Sequence, residues 1–194
     1  MNIENLIEIR LGHPFRGKIS EAVGLETLVI QFKNVDPEFG VDWSEVIASE
    51  VKGRFEPKWL QEGDLLFPNK GSTFFSALVK GIPKGKKVVA SPHFFVIRCT
   101  NKQLILPEYL NWYLNQAPAQ AFYNQSASGT IVKSITKTRL LEMDIPLPSL
   151  VEQKTIAELY KTTQQHTQAL QQQISNNQNL MGQLAYDIKR RLAE

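Results

Sequence analysis

The sequence predicts an α+β protein: a globular domain of mixed β-sheet and helix over residues 1–149, then one long coiled-coil helix over residues 150–194. Three observations carry this. Ile156, Tyr160, Thr163, Thr167, Leu170, Ile174, Asn177, Met181, Leu184 and Ile188 step by four and three in alternation, with Gln, Asn, Lys and Glu between them. That is the a/d stripe of a coiled-coil seam, sustained for about five heptads. Short apolar, β-branched runs bounded by Gly, Pro and Asp fill residues 27–97, the signature of strands and turns. After Leu106 the apolar period lengthens from two to about three and a half, which places helices on the same domain.

In chain order, Leu6-Ile7-Glu8-Ile9 is a short strand or helical turn, broken by Gly12, His13 and Pro14. Phe15-Arg16-Gly17-Lys18 is a compact basic loop, and residues 27–32 are the first clear strand. Asp36-Pro37 and Phe39-Gly40 are turns, and Gly63-Asp64 is a turn feeding the strand Leu65-Leu66-Phe67. The loop Pro68-Asn69-Lys70-Gly71-Ser72-Thr73 joins a cation, a glycine and two hydroxyls, and strand character resumes at residues 74–79. Residues 80–87 form a second basic turn. Val88-Val89-Ala90 and Phe94-Phe95-Val96-Ile97 close the sheet region, with Pro92 at the break. Pro107-Glu108 opens a helix carrying Leu110, Trp112, Tyr113 and Leu114, because proline is tolerated in a first turn and an acid complements the helix dipole there. Pro118 begins a second helix with Phe122 and Tyr123; residues 136–141 make a helical turn; residues 143–148 run extended. Pro146 and Pro148 keep that stretch out of a helix, and Ser149 with Glu152 three residues on forms a capping box for the long one. A helix of about 40 residues extends about 60 Å.

The net charge of +3 conceals a division. Residues 1–64 hold 7 Lys/Arg against 12 Asp/Glu, whereas residues 65–141 hold 10 Lys/Arg and a single acid, Glu108. An ordinary soluble surface mixes both signs. Either the acidic first third folds against the basic middle third, or the middle third presents a face to a polyanion. A lone Cys99 excludes a disulfide frame and a multi-cysteine metal site. No stretch approaches the roughly 18 apolar residues of a membrane span, and Met1-Asn2-Ile3-Glu4 does not open a signal peptide, so the expected setting is cytoplasmic. Catalytic motifs are wanting. Residues 81–87 fail as a phosphate-binding loop, because no Ser/Thr follows Lys86 and the glycine spacing is short. Asp36, Glu50 and Lys52 have nuclease-like spacing, but Asp36 sits in a Pro/Gly turn.

Glu142-Met143-Asp144-Ile145-Pro146-Leu147-Pro148-Ser149-Leu150-Val151-Glu152-Gln153-Lys154-Thr155-Ile156 resembles the junction that ends a target-recognition domain in the DNA-specificity subunits of type I restriction–modification systems. There an extended apolar-Pro-x-Pro stretch leads to a Glu-Gln pair opening a long spacer helix. Gly63-Asp64-Leu65-Leu66-Phe67 with Lys70-Gly71-Ser72 is similar to that family's mid-domain strand and loop. Ser128-Gly129-Thr130 with Ile135 and Leu140, and the Pro107-Glu108-Tyr109-Leu110 helix opening, also fit. The resemblance implies a half-length, non-catalytic specificity subunit without cofactor or metal. Its one recognition domain would read half of a split site in double-stranded DNA. Its spacer helix would dock methyltransferase subunits, and a restriction subunit could join them. Complete subunits of the family carry two domains and two antiparallel helices; this chain matches one of each.

The expected DNA-binding residues are Arg16, Lys18, Lys70, Ser72, Thr73, Lys84, Lys86, Lys87, Thr130, Lys133 and Lys137, on four loops that should converge on one face. Lysines there would hold phosphates, while hydroxyls and loop backbone would reach base edges. An isolated helix cannot bury its own seam, so an antiparallel homodimer is expected through Tyr160, Leu170, Ile174, Asn177, Met181, Leu184 and Ile188. Two other readings remain: a coiled-coil protein whose head binds protein rather than DNA, and a degenerate specificity-subunit remnant.

Overall fold

The structure, a computed structural model, describes residues 3–22, 24–51, 56–129 and 132–192. Eleven strands and four α-helices occur among them: β1 (Ile7–Leu11), β2 (Thr27–Ile30), β3 (Val35–Asp36), β4 (Gly40–Val41), β5 (Ile47–Ala48), β6 (Leu65–Pro68), β7 (Lys70–Gly71), β8 (Ala77–Leu78), β9 (Lys87–Ala90), β10 (Phe94–Cys99), α1 (Pro107–Leu114), α2 (Ala117–Ser126), β11 (Lys133–Ser134), α3 (Lys137–Leu141) and α4 (Leu150–Arg191). Residues 1–157 and 158–194 form two compact units.

In the first unit, β1, β10, β6 and β8 form an antiparallel sheet in that order, and β5, β2 and β9 form a second, in which β2 runs parallel to β9. The pleat of β10 sorts the core. Phe95, Ile97 and Cys99 point to the side of the first sheet that packs Tyr109, Leu110, Leu114, Tyr123 and Leu140 of α1 to α3. Phe94 and Val96 point the other way, onto Ile30, Val88 and Ala90 of the second sheet. Helices, sheet and sheet thus stack in layers, and alternation at period two sends each residue to one side.

Charge is buried at one point in this stack. Asp64 is 1% exposed, and Arg98 grips it with two bonds of 2.6 and 2.7 Å, while Arg10 approaches to 3.5 Å. Both guanidinium groups also donate to the Trp59 carbonyl. The hydrogen bond to Asp64 raises the Arg98 pKa, whereas burial and the neighbouring Arg98 lower that of Arg10. Arg98, one of the ten cations of residues 65–141, is therefore paired within the fold. Cys99 is buried, and desolvation pushes its thiol up to about 12, which removes it as a nucleophile.

The sequence predicted a strand through Phe32; β2 stops at Ile30. Asn34 explains the stop. Its Oδ1 accepts the Gln31 N–H at 2.9 Å and its Nδ2 donates to the Glu45 carbonyl at 2.7 Å, so the chain turns into a 3-10 helix at Phe32–Asn34.

At the other end of the unit, the junction before α4 follows its sequence. The Ser149 N–H and hydroxyl donate to Glu152 at 2.9 and 2.7 Å, and the Glu152 N–H returns to the Ser149 hydroxyl at 3.3 Å. Gln153 is wholly buried. Its Oε1 accepts the Leu106 N–H at 2.9 Å, and its Nε2 donates to the Leu104 and Pro148 carbonyls at 2.8 and 2.9 Å. The Tyr109 hydroxyl donates to the Pro146 carbonyl at 2.7 Å. The Glu-Gln pair thus divides its work: Glu152 caps the helix, and Gln153 ties its first turn to the segment that leads into α1.

Candidate nucleic-acid interface

Register alone decides which loops meet. Leu11 of β1 pairs with Phe95 and Pro68 of β6 with Phe94, so both strands finish beside the start of β10. Ala90, the last residue of β9, pairs with Ile30, the last residue of β2. Four strands therefore run out at one end of the domain, called here the exit end.

Backbone bonds clasp the exits together. Gly12 N–H donates to the Phe94 carbonyl at 2.9 Å and His13 N–H to that of Ala90 at 2.7 Å. The approach at Gly12 is so close that an added Cβ would lie 2.0 Å from the Ser91 carbonyl oxygen, which requires glycine there. From the other flank Asn69 donates through its N–H to the His93 carbonyl at 2.9 Å and through Nδ2 to the Pro92 carbonyl at 2.8 Å. Its own carbonyl accepts the Ile135 N–H at 3.2 Å. Next to it β7 and β11 pair antiparallel, setting Lys70 opposite Ser134 and Gly71 opposite Lys133, with Ser128 bridged to Ser134 beyond.

The exit end thus gathers Lys70, Ser72, Thr73, Lys133 and, two residues past Ile135, Lys137 at the start of α3; the loop bearing Arg16 and Lys18 leaves from the same clasp and runs to Ser20, whose carbonyl accepts the Ser49 hydroxyl at 2.7 Å beside the start of β2. Arg16, Lys18, Lys70, Ser72, Thr73 and Lys137 are exposed, and half-buried Lys133 donates to the Asn124 side chain at 3.0 Å. Thr130 lies outside the described residues. Lys84, Lys86 and Lys87 are not part of this group. Lys84 and Lys86 precede β9 and Lys87 opens it, at the opposite end of a strand about 10 Å long at 3.3 Å per residue. Residues of the first third pack against that turn: the Glu62 carboxylate accepts the N–H groups of Gly81 and Ile82, Lys87 N–H donates to the Glu26 carbonyl, and the Lys87 ammonium sits 5.3 Å over the Trp59 ring. Residues of the first third thus pack against the turn before β9, and Lys84, Lys86 and Lys87 stay exposed there.

Two exit-end residues escaped the sequence reading. Phe32 and Lys33 follow β2 and are exposed. The Phe32 ring is stacked on Phe94 at 6.1 Å and set edgewise to Phe75 at 6.0 Å, adjoining the loop with Ser72 and Thr73. An exposed aromatic two residues beyond a strand carries no local signal, because its position depends on where β2 ends. Among the described residues no group of three His, Cys, Asp or Glu side chains is placed to hold a metal ion. Asp36 Oδ1 is occupied by the N–H groups of Glu38 and Phe39, and Lys52 lies outside the described residues.

In the second unit the predicted seam is uncovered: Leu170, Ile174, Met181, Leu184 and Ile188 are exposed, as is Asn177, and Tyr160 and Thr167 are half-exposed. No helix among the described residues is long and apolar enough to cross a membrane.

Residues 50–178 match the family described as the type I restriction modification DNA specificity domain. Among solved structures, the chain is similar to the type I restriction-modification system S subunit from M. genitalium, at 14% identity and a TM-score of 0.60, covering 92% of this chain and 42% of that one. It is also similar to the HsdS subunit from Thermoanaerobacter tengcongensis, at 20% identity and a TM-score of 0.57, covering 74% and 37% respectively. Likeness at these identities is one of fold. The chain spans about two fifths of the length of those subunits. No curated protein matches it.

Proposed function

The chain belongs to the type I restriction-modification DNA specificity domain family, and on that premise we propose that it is a non-catalytic, sequence-specific DNA-binding unit that reads one half of a split duplex site. The observation that carries this reading is the exit end. Lys70, Lys133 and Lys137 stand on paired or adjoining segments clasped by backbone bonds, Ser72 and Thr73 follow Lys70, and the loop with Arg16 and Lys18 starts from the same clasp. The cations hold phosphates, which orient the domain on the duplex without specifying sequence; Ser72, Thr73 and the loop backbone reach base edges. Five cations imply about five neutralised phosphates and a slope of about −4.5 for log K against log salt.

The uncovered seam supplies the rest. A second copy pairs antiparallel through α4, so that two domains address two half-sites, and methyltransferase subunits dock on the paired helices, where a restriction subunit can join. The Gln153 tie supports this arrangement, because it makes the first turn of α4 part of the recognition domain.

The test is selection of bound sequences from a random duplex pool, with the chain alone and with a methyltransferase subunit of the same type of system. A split, inverted-repeat motif is expected. No enrichment in either arm, or binding that is flat in salt, overturns the proposal.

A further inference from the structure

Antiparallel pairing of α4 leaves its register open, and the register is written in the helix itself. Beside the seam, every seventh residue from Leu150 onward reads Leu150, Ala157, Gln164, Gln171, Gln178, Ala185, Leu192. That column is the same in both directions. A palindrome about Gln171 is what a flanking column needs if it is to meet its own copy running the other way, because in antiparallel coiled coils like flanking columns face each other.

The seam gives a second, independent indication. Centred at residue 172, an antiparallel pair sets Tyr160 against Leu184, Thr163 against Met181, Thr167 against Asn177, and Leu170 against Ile174. Asn177 then finds a hydroxyl partner. One heptad either way, it meets Ile174 or Tyr160: with Ile174 its amide is enclosed without a partner, which costs stability, and with Tyr160 the flanking column is out of step, Leu150 facing Ala185 and Ala157 facing Gln178. The centred register also places apolar Leu170 and Ile174 of both copies at the axis. A parallel pair is disfavoured on charge: it would gather Lys189, Arg190 and Arg191 of both copies at one end and align the two helix dipoles.

Resting on the pairing proposed above, we infer that α4 is a self-complementary rod whose two-fold axis lies between Leu170 and Ile174, with the Thr167–Asn177 pair fixing the register. The partner this surface selects is a second copy of the same chain in one alignment. The two-fold axis repeats the Thr167–Asn177 pair at two layers, one on each side of it.

Single cysteines introduced into the full-length chain and treated with a short bifunctional maleimide, without DNA, test this. Native Cys99 is buried, and the parent chain serves as control. Gln171→Cys should cross-link to itself in high yield and Gln178→Cys only at background. An equimolar mixture of Gln164→Cys and Gln178→Cys chains should give the mixed dimer. Self-linking of Gln178→Cys above Gln171→Cys overturns the register. A mixed dimer of His166→Cys with Gln171→Cys, the neighbours in a parallel pair, overturns the orientation. A concentration-independent monomer in sedimentation overturns the pairing itself. Each outcome is read without nucleic acid, so failure of the DNA reading shows separately, as absent selection from a pool with the cross-links intact.

Discussion

Replacing Gln153 by methionine keeps the volume of the side chain and deletes three hydrogen bonds from a fully buried site: one from the Leu106 N–H, and one each to the Leu104 and Pro148 carbonyls. A net bond contributes about 1 kcal/mol, and a buried group left unpaired costs about 1–3 kcal/mol. Leu104 is 44% exposed as a residue, so its carbonyl can recruit solvent, and the three losses together come to about 3 kcal/mol rather than the sum of three full penalties. For a unit of this size that is roughly 6–12 °C in Tm. Gln153→Glu should be worse near neutral pH, because a carboxylate would face two carbonyl oxygens. Its pKa would be raised in the folded state, so the penalty is present above that raised value and relaxes as pH falls through it. Urea titrations of parent, methionine and glutamate chains at neutral and acid pH give the energies, and hydrogen exchange at the Leu106 amide reports the site. A methionine variant within about 0.5 kcal/mol of the parent, or an unaltered Leu106 exchange rate, would refute the view that Gln153 ties α4 to the domain.

Asp64→Ala should cost about 1.5–3 kcal/mol in a urea titration, because it removes the charged hydrogen-bond partner of the half-buried Arg98 and Arg10 guanidinium groups; a loss under about 0.5 kcal/mol would mean that solvent replaces the carboxylate. Lys70→Glu with Lys133→Glu should reduce the steepness of log K against log salt by about 1.8, whereas the triple charge reversal at Lys84, Lys86 and Lys87 should leave it near −4.5. Equal effects from both sets would show that the duplex also reaches the turn before β9. The hydrogen bonds from Ser149 hold the Glu152 pKa below the usual carboxylate range. Its capping contribution is therefore complete above the unfolded carboxylate value and lost as pH falls through the lowered one. Helicity of the parent chain should decline across that acid window, a step that Glu152→Gln should lack in circular dichroism.

Legibility in the sequence tracked the distance between partners. The capping box, the Pro-x-Pro stretch and the opening of α1 involve neighbours within a few residues, and each was visible in the sequence pattern. Asp64 was visible only as half of a Gly-Asp turn. Its real partner, Arg98, lies 34 residues away, so a cation that counts toward surface charge is in fact tied to a buried carboxylate. The convergence of loops depended on one parallel pairing, β2 with β9, which sends residues 84–87 to one end of the domain and residues 91–93 to the other. No local period encodes that, because both ends of a strand look alike from within it.

Phe32 carries the same point to the exit end. As the sixth residue of a β-branched run it reads as core, and a continued strand would have alternated it into one face or the other. Asn34 ends the run by taking the Gln31 N–H that a ladder would otherwise use, and the ring emerges beside Lys33 at the exit end. The residue that decides this is therefore not the aromatic but the asparagine. Asn34→Ala removes the acceptor of the Gln31 N–H and the donor to Glu45. If the turn at Phe32 depends on those two bonds, the variant should lose about 1–3 kcal/mol of stability and, as its duplex affinity falls, keep the parent's salt slope, since no cation is removed. A changed slope at unchanged stability would mean that the turn positions Lys33 on a phosphate instead.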